Sequence, residues 1–544
     1  MRATRFSRGT LGVAGVLCLG LSGLGATALA APDGPGNIDF NATGKILIHK
    51  HVQSDTATPG TADGTVTGTK GAPVAGVKFT AYKLDADLKT NDAWATLSNL
   101  AVPNNACGAD FKTPAGTVGT LTVQAAQKSE SGATNDQGEA SIDNLAVGAY
   151  LVCETEAPAN VTEKAAPFVV TVPFPNTTQN ANNGAAANGN GQWIYDVNVY
   201  PKNVVIDAPT KAVNVVSYGL NGEAQVEFPV TATVPKIGAN VSFKHFMISD
   251  PMDASYASPA VKANSVTIDG AAIDQSWYTT TVTGNEVNIS FTKTGLEGLK
   301  NKAGSVISVT FTAKTQSVAA AINNKANLYV DTIPGNTPPE NPPTTPPGGD
   351  TPVPSNTVVT AWGAASLLKQ DNQSQQALEG ATFEIYNAKS PWEGTCTTEI
   401  AENDPNTAID ESAKVVVDGK DVFTTDAQGK FDIKGLFVDS KQGAAGVTQV
   451  AVDHTTRCYV LVETKAPAGF TLPAGDAAKT ALKVTAGDAT TANQVTVNNT
   501  KTTVPQLPLT GAAGKILMTV GGLSLMAIAV GFVLAARKRR VNEA

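Results

Sequence analysis

Two stretches of this chain are near copies of each other, and they decide how it must be organised. Residues 134–145 read TNDQGEASIDNL and run into AYLVCETEAPAN at 149–160, while 425–436 read TDAQGKFDIKGL and are followed by CYVLVETKAPAGF at 458–470. The strands upstream agree too: Val74, Gly76 and Phe79 in the first copy correspond to Leu378, Gly380 and Phe383 in the second. Two copies of one module therefore flank a third, different unit. Short alternating runs at 77–82, 197–200, 306–311 and 495–497 are separated by Gly, Asn, Asp and Pro turns, and helical periodicity is scarce. The expectation is an all-β chain of three tandem β-sandwiches, at 38–203, 204–330 and 357–500. Residues 331–356 carry nine prolines and read as an extended, fairly stiff linker between the last two.

The ends of the chain fix where these modules work. Arg2, Arg5 and Arg8 precede an apolar run and the small-residue site Ala28, Leu29, Ala30, so residues 1–30 read as a secretory signal peptide. Residues 516–536 contain neither charge nor Pro and are long enough to cross a bilayer once. The Arg537, Lys538, Arg539, Arg540 tail behind them holds that end on the cytoplasmic side, which places everything before the span outside. A net charge of -8 argues against nucleic acid as a partner. Of five cysteines, Cys18 lies in the signal peptide, and the other four sit in an oxidising compartment. Four cysteines allow three pairings. Cys107 with Cys153 and Cys396 with Cys458 keep each bond within one module and close the shortest loops.

Just outside the span, Leu507, Pro508, Leu509, Thr510 and Gly511 resemble the LPxTG sorting signal of Gram-positive surface proteins, with the apolar span and basic tail that such a signal requires. In that family a sortase cuts between Thr and Gly and passes the Thr carbonyl to an amine. A second motif stands at the end of the first module. The stretch WIYDVNVYPK at 193–202 is by itself a closing strand with Lys202 turned to water, but it resembles the pilin motif of SpaA-type backbone pilins, whose Lys attacks the sortase-bound Thr of a neighbouring subunit. A third, YVLVETKAPAGF, looks like the E-box of those pilins.

The resemblance extends from signal peptide to sorting signal and reaches the fimbrial shaft subunits of Actinomyces. It implies Ig-like sandwiches of CnaA and CnaB type, and a major shaft subunit joined head to tail through Lys202 and Thr510. The implied partners are further copies of the chain, a class C pilin sortase, a housekeeping sortase, minor or tip pilins, peptidoglycan, and receptors on host or bacterial surfaces. The competing reading is a wall-anchored monomeric adhesin of the collagen-binding type, which has similar sandwiches and the same sorting signal; the pilin motif separates the two.

The resemblance also implies internal crosslinks. Alternation places Tyr459, Leu461 and Glu463 on one strand face and Cys458 on the other. A buried Glu463 needs partners, and Lys369 in the module's first strand and Asn499 in its last are the candidates. Desolvation would make the amine a neutral nucleophile, and the carboxyl would polarise the Asn amide, which leaves a Lys–Asn isopeptide bond. A plain buried salt bridge is the alternative. In the middle module the corresponding set is Lys211, Asp250 and Asn324, with Asn323 and Asn327 competing for the last place. The first module keeps Lys50 and Glu154, but Pro201 falls where Asn499 would be, so the expectation there is no isopeptide bond and a Cys107–Cys153 disulfide as its covalent staple. No nucleophile–base pair or metal spacing suggests an enzyme for external substrates, and His49 and His51 read as surface residues of one strand. No cofactor is expected. Residues 404–410, DPNTAID, could hold calcium but read better as a polar loop.

Overall fold

The computed structural model describes residues 38–53, 64, 71–108, 111–175, 193–220, 224–393, 396, 409–489, 494–502 and 512–541. The signal peptide, the sorting signal 507–511 with Thr510, and most of the 404–410 loop lie outside them.

In the first domain, Thr43–His49 is the middle of a three-stranded sheet, parallel to Asp196–Val199 and antiparallel to Glu139–Ala146. It faces a five-stranded sheet centred on Lys78–Leu84 and Gly148–Glu156. Strand alternation gives Gly148–Glu156 two jobs. Tyr150 and Val152 face the sandwich core with Ile46, Ile48, Phe79 and Val197. Leu151 and Cys153 face outward into a second core with Tyr82, Leu97 and Cys107. The short helix Asn91–Ser98, capped by the Thr90 side chain, covers that outer core.

The middle domain sandwiches two sheets, one built on Gln225–Thr233 and Val306–Thr315, the other on Val241–Pro251 and Asn327–Pro334. The third repeats the first: Thr382–Ala388 pairs with Thr456–Lys465, and Val358–Asp371 runs parallel to Gln494–Asn499.

Two features differ from the linear reading. The Pro-rich segment is not a free spacer but a strap laid on the middle domain. Along it, the Thr344 carbonyl accepts from Thr281 Oγ1 at 2.7 Å, Glu340 pairs with Lys293, and Val353–Pro354 adds a strand to Asn327–Pro334. Beyond the strap, the fourteen-residue strand Val358–Asp371 belongs to two domains at once. Its start pairs with Ile322–Asn324 of the middle domain, and Val358 and Trp362 sit in the middle core. Its far half, including Ala365 and Leu367, lies in the third core. Helix Ala512–Val541 closes the chain, and Met518–Lys538 within it has a mean hydropathy of 2.1 and the length to cross a membrane.

Candidate functional site: three buried lysines and a pilin motif

Each domain buries a lysine, in or just after its opening strand, against an acid. In the third, Lys369, Glu463 and Asn499 are all buried. Lys369 Nζ lies 3.0 Å from Glu463 Oε2 and donates to Asn499 Oδ1, and Asn499 Nδ2 donates to Glu463 Oε1 at 2.7 Å. The Phe383 ring, 5.7 Å from Nζ, closes one side. Burial outweighs the attraction of Glu463 and holds the Lys369 amine below its ordinary pKa. Glu463 sits on the face shared with Tyr459 and Leu461, as alternation requires, while Cys458 occupies a separate cluster behind the strand.

In the middle domain, Lys211 of Thr210–Lys211 pairs with Asp250 at the end of Val241–Pro251, both fully buried. Desolvation lowers the Lys211 pKa and raises that of Asp250, so the uncharged forms of both are favoured. Asp250 Oδ1 and both polar atoms of Asn324 are buried outside ordinary hydrogen-bond geometry, with the Asn324 side chain near enough to Asp250 to oppose the rise in its pKa. Of the competing asparagines, Asn323 turns to the third domain, where its Oδ1 accepts from Val450 N–H at 2.8 Å. Asn327 is only half-buried. Of the three, only Asn324 is buried, with its side chain beside Asp250.

The first domain corrects the reading of Pro201. Lys50 Nζ lies 2.8 Å from Glu154 Oε2, and the buried Asn203 donates from Nδ2 to Glu154 Oε1 at 2.9 Å. In the third domain Lys369 lies opposite Val497, and Asn499 stands two residues further on. In the first, Ile48 faces Val199 and Val52 faces Asn203, so Pro201 corresponds to Val497 and Asn203 to Asn499. The alignment of Pro201 with Asn499 is therefore corrected by the register: the first domain does place an asparagine, Asn203, beside Glu154. Burial lowers the Lys50 pKa as it does Lys369.

The repeated QG turn now has a reason. Lys50 N–H donates to Gly138 O and Lys369 N–H to Gly429 O, both at 2.7 Å. Both glycines have positive φ, and a Cβ would come within 2.2 Å of Lys50 O or 2.4 Å of Lys369 O. The turn is pressed against the backbone of the buried lysine.

Lys202 directly precedes Asn203, in Lys202–Val205, parallel to His51–Val52. It is half-buried rather than fully exposed. Trp193, at the start of the motif, packs on Trp94 of the helix at 5.1 Å, and Tyr200 stacks on His49 at 4.7 Å. Both expected disulfides are present, Cys107–Cys153 and Cys396–Cys458.

Sandwich domains with lysine, acid and asparagine buried together, ahead of an anchoring helix, define a secreted, wall-anchored structural protein. Comparison with known proteins makes this specific. Residues 41–204 match the Gram-positive pilin subunit D1 N-terminal domain, 363–501 a prealbumin-like fold domain of SpaA type, and 499–543 the LPXTG cell wall anchor motif. The chain is 40% identical to a fimbrial subunit type 2 of Actinomyces naeslundii over 98% of both chains, and 31% identical to a fimbrial subunit type 1 of Actinomyces viscosus over 98% of both. Among solved structures it is similar to the full-length major pilin SpaD of Corynebacterium diphtheriae, with 26% identity, a TM-score of 0.56, and 86% of this chain and 99% of that one covered. The chain belongs to the family of Gram-positive fimbrial subunits.

Proposed function

We infer that this chain is the shaft subunit of a covalently polymerised fimbria attached to the cell wall, and not an enzyme. The observation that carries this reading is the joint presence, in a member of the fimbrial subunit family, of a wall-anchor motif at 499–543 and a D1 domain at 41–204 with Lys202 at its closing strand.

Polymerisation would take two substrates from one chain. A pilin sortase holds Thr510 of one subunit as a thioester, and the Lys202 amine of the next attacks the Thr carbonyl, so that an amide replaces the thioester and the sortase thiol leaves. A housekeeping sortase ends growth by passing Thr510 to a peptidoglycan amine. Receptors and tip subunits complete the adhesive fibre.

Within each subunit we assign internal isopeptide bonds to Lys369–Asn499 and Lys211–Asn324, and add Lys50–Asn203 on the strength of its geometry. The neutral Lys amine adds to the Asn carbonyl carbon, Glu463, Asp250 or Glu154 passes protons across the tetrahedral intermediate, and the Asn amide nitrogen leaves as ammonia. No external catalyst is required, because burial has already favoured the uncharged amine.

The test is an immunoblot of cell-wall extract boiled in detergent. A ladder of high-mass species that disappears in both Lys202→Ala and Thr510→Ala supports the shaft reading. A single band from the unsubstituted protein supports a monomeric adhesin instead, and a normal ladder from Lys202→Ala removes that residue from the role.

A further inference from the structure

The residues that surround Lys211 do not all come from the middle domain. Asn356 is the last residue of the strap, just ahead of the strand shared with the third domain, and is itself buried. Its carboxamide makes two bonds to the backbone of one residue: Oδ1 accepts from Lys211 N–H and Nδ2 donates to the Lys211 carbonyl, each at 2.8 Å. A side-chain amide thus stands where a neighbouring strand would be.

Lys211 needs this more than Lys369 does. Its strand, Thr210–Lys211, has two residues, paired to Thr231 and Val230 on one side. Lys369 by contrast lies inside a fourteen-residue strand, with Gly429 and Leu378 bonded to its backbone and Val497 in register beside it. The same few residues around Asn356 also hold the other reactant. Val358 is the register partner of Asn324. Ser355 N–H donates to Ala326 O at 2.8 Å, and Ser355 Oγ accepts from Ala326 N–H at 2.9 Å. Residues 355–358 therefore grip the nucleophile's backbone at one point and the amide-bearing strand at the next.

We propose that Asn356 is a positioning residue for the Lys211–Asn324 crosslink, and that the middle domain reacts only once the strap and the first strand of the third domain have docked. The proposal rests on the reading of Lys211 and Asn324 as crosslink partners. Asn356 is not consumed: the Lys211 amine and the Asn324 carboxamide become one amide and one ammonia, and Asn356 fixes the approach. Effective concentration is the physical gain, because a nucleophile misplaced by about 1 Å loses on the order of a hundredfold in rate. The consequence is an order of events. The segment that completes the site follows the whole middle domain in the chain, so the middle crosslink waits for the start of the third domain to emerge.

The experiment exports the full chain with Asn356→Ala or Asn356→Asp and follows crosslinked peptides by mass spectrometry after a pulse label, counting only protein that elutes as folded monomer. Asp keeps the acceptor for Lys211 N–H and the shape of Asn, which guards against simple misfolding. The expected result is at least a tenfold slower appearance of the Lys211–Asn324 peptide in the Ala variant, an intermediate rate with Asp, and an unchanged Lys369–Asn499 peptide in both. A role confined to stability would lower the melting temperature and leave the rate per folded molecule at its unsubstituted value, and that result overturns the proposal. Absence of a Lys211–Asn324 peptide from the unsubstituted protein overturns instead the reading on which it rests.

Discussion

Buried lysines are the costliest residues in this protein, and each is held by a carboxylate whose removal should be severe. Glu154→Ala leaves Lys50 buried opposite an unassisted Asn203, and breaking a buried pair by deleting one partner typically costs about 3–5 kcal/mol. The same variant should weigh about 17 Da more than expected from the substitution alone, since one ammonia is no longer lost. Intact mass and a denaturant titration of the two proteins check both; a mass that follows the substitution alone leaves Lys50 and Glu154 as a salt bridge. Glu463→Ala should behave in the same way through Lys369 and Asn499, with new trypsin sensitivity in the third domain. How much of this was legible in the sequence depended on spacing. The resemblance to the pilin E-box points to Lys369, Glu463 and Asn499, alternation puts Glu463 and Asn499 on inward faces, and the structure brings all three together. Asn203 was missed because the Val-x-Val of 197–199 was matched to that of 495–497, while the true register is two residues further along. A slip of two keeps every side chain on its own face, so the hydrophobic pattern cannot detect it. Only the position of the lysine on the neighbouring strand does.

At the scale of elements, the strand shared by two domains makes the clearest prediction. Trp362 is fully buried in the middle core, its Nε1–H donating to Thr360 Oγ1 at 2.9 Å and its ring against Phe437 of the third domain at 5.7 Å. Trp362→Ala should cost about 3–5 kcal/mol. Both domains should lose stability together, which calorimetry or domain-resolved hydrogen exchange would show; a loss restricted to one domain would contradict the sharing. Gly429→Ala should be destabilising out of proportion to its size, because its φ of +69° is strained for alanine and its Cβ would strike Lys369 O. Removing the Cys107–Cys153 disulfide, whose loop spans 46 residues, should cost about 2–5 kcal/mol, read as an earlier denaturant midpoint of the first domain. The cysteine pairing was legible because each bond stays inside a repeated module. The strap and the shared strand were not, since proline content sets local stiffness and says nothing about which surface a stiff segment lies on. Asn356 was invisible for a related reason: its partner is a backbone, which leaves no mark in the sequence.

For the whole molecule, subunits joined as proposed, through Lys202 and Thr510, would carry load through the second and third domains and largely bypass the first. A Lys369–Asn499 bond closes a loop of 130 residues and would constrain the unfolded chain by about 4–5 kcal/mol, by analogy with disulfide closure. The joint between the first and second domains is built differently from the joint between the second and third. Across the former, Gly238 N–H donates to Glu163 at 3.0 Å and Thr332 Oγ1 to Thr162 O at 2.7 Å. Across the latter, a single strand runs through both cores, with Trp362, Tyr218 and Phe437 packed around it. A fibre of such subunits would alternate two-domain links that share a strand with joints that do not, the first joint being held by Ile206 in the middle core, Ala159 against it and these few hydrogen bonds. With the subunits joined at Lys202 as proposed, its curvature should concentrate there, once per subunit, so that a fimbria pressed against a surface would bend in steps at its covalent seams.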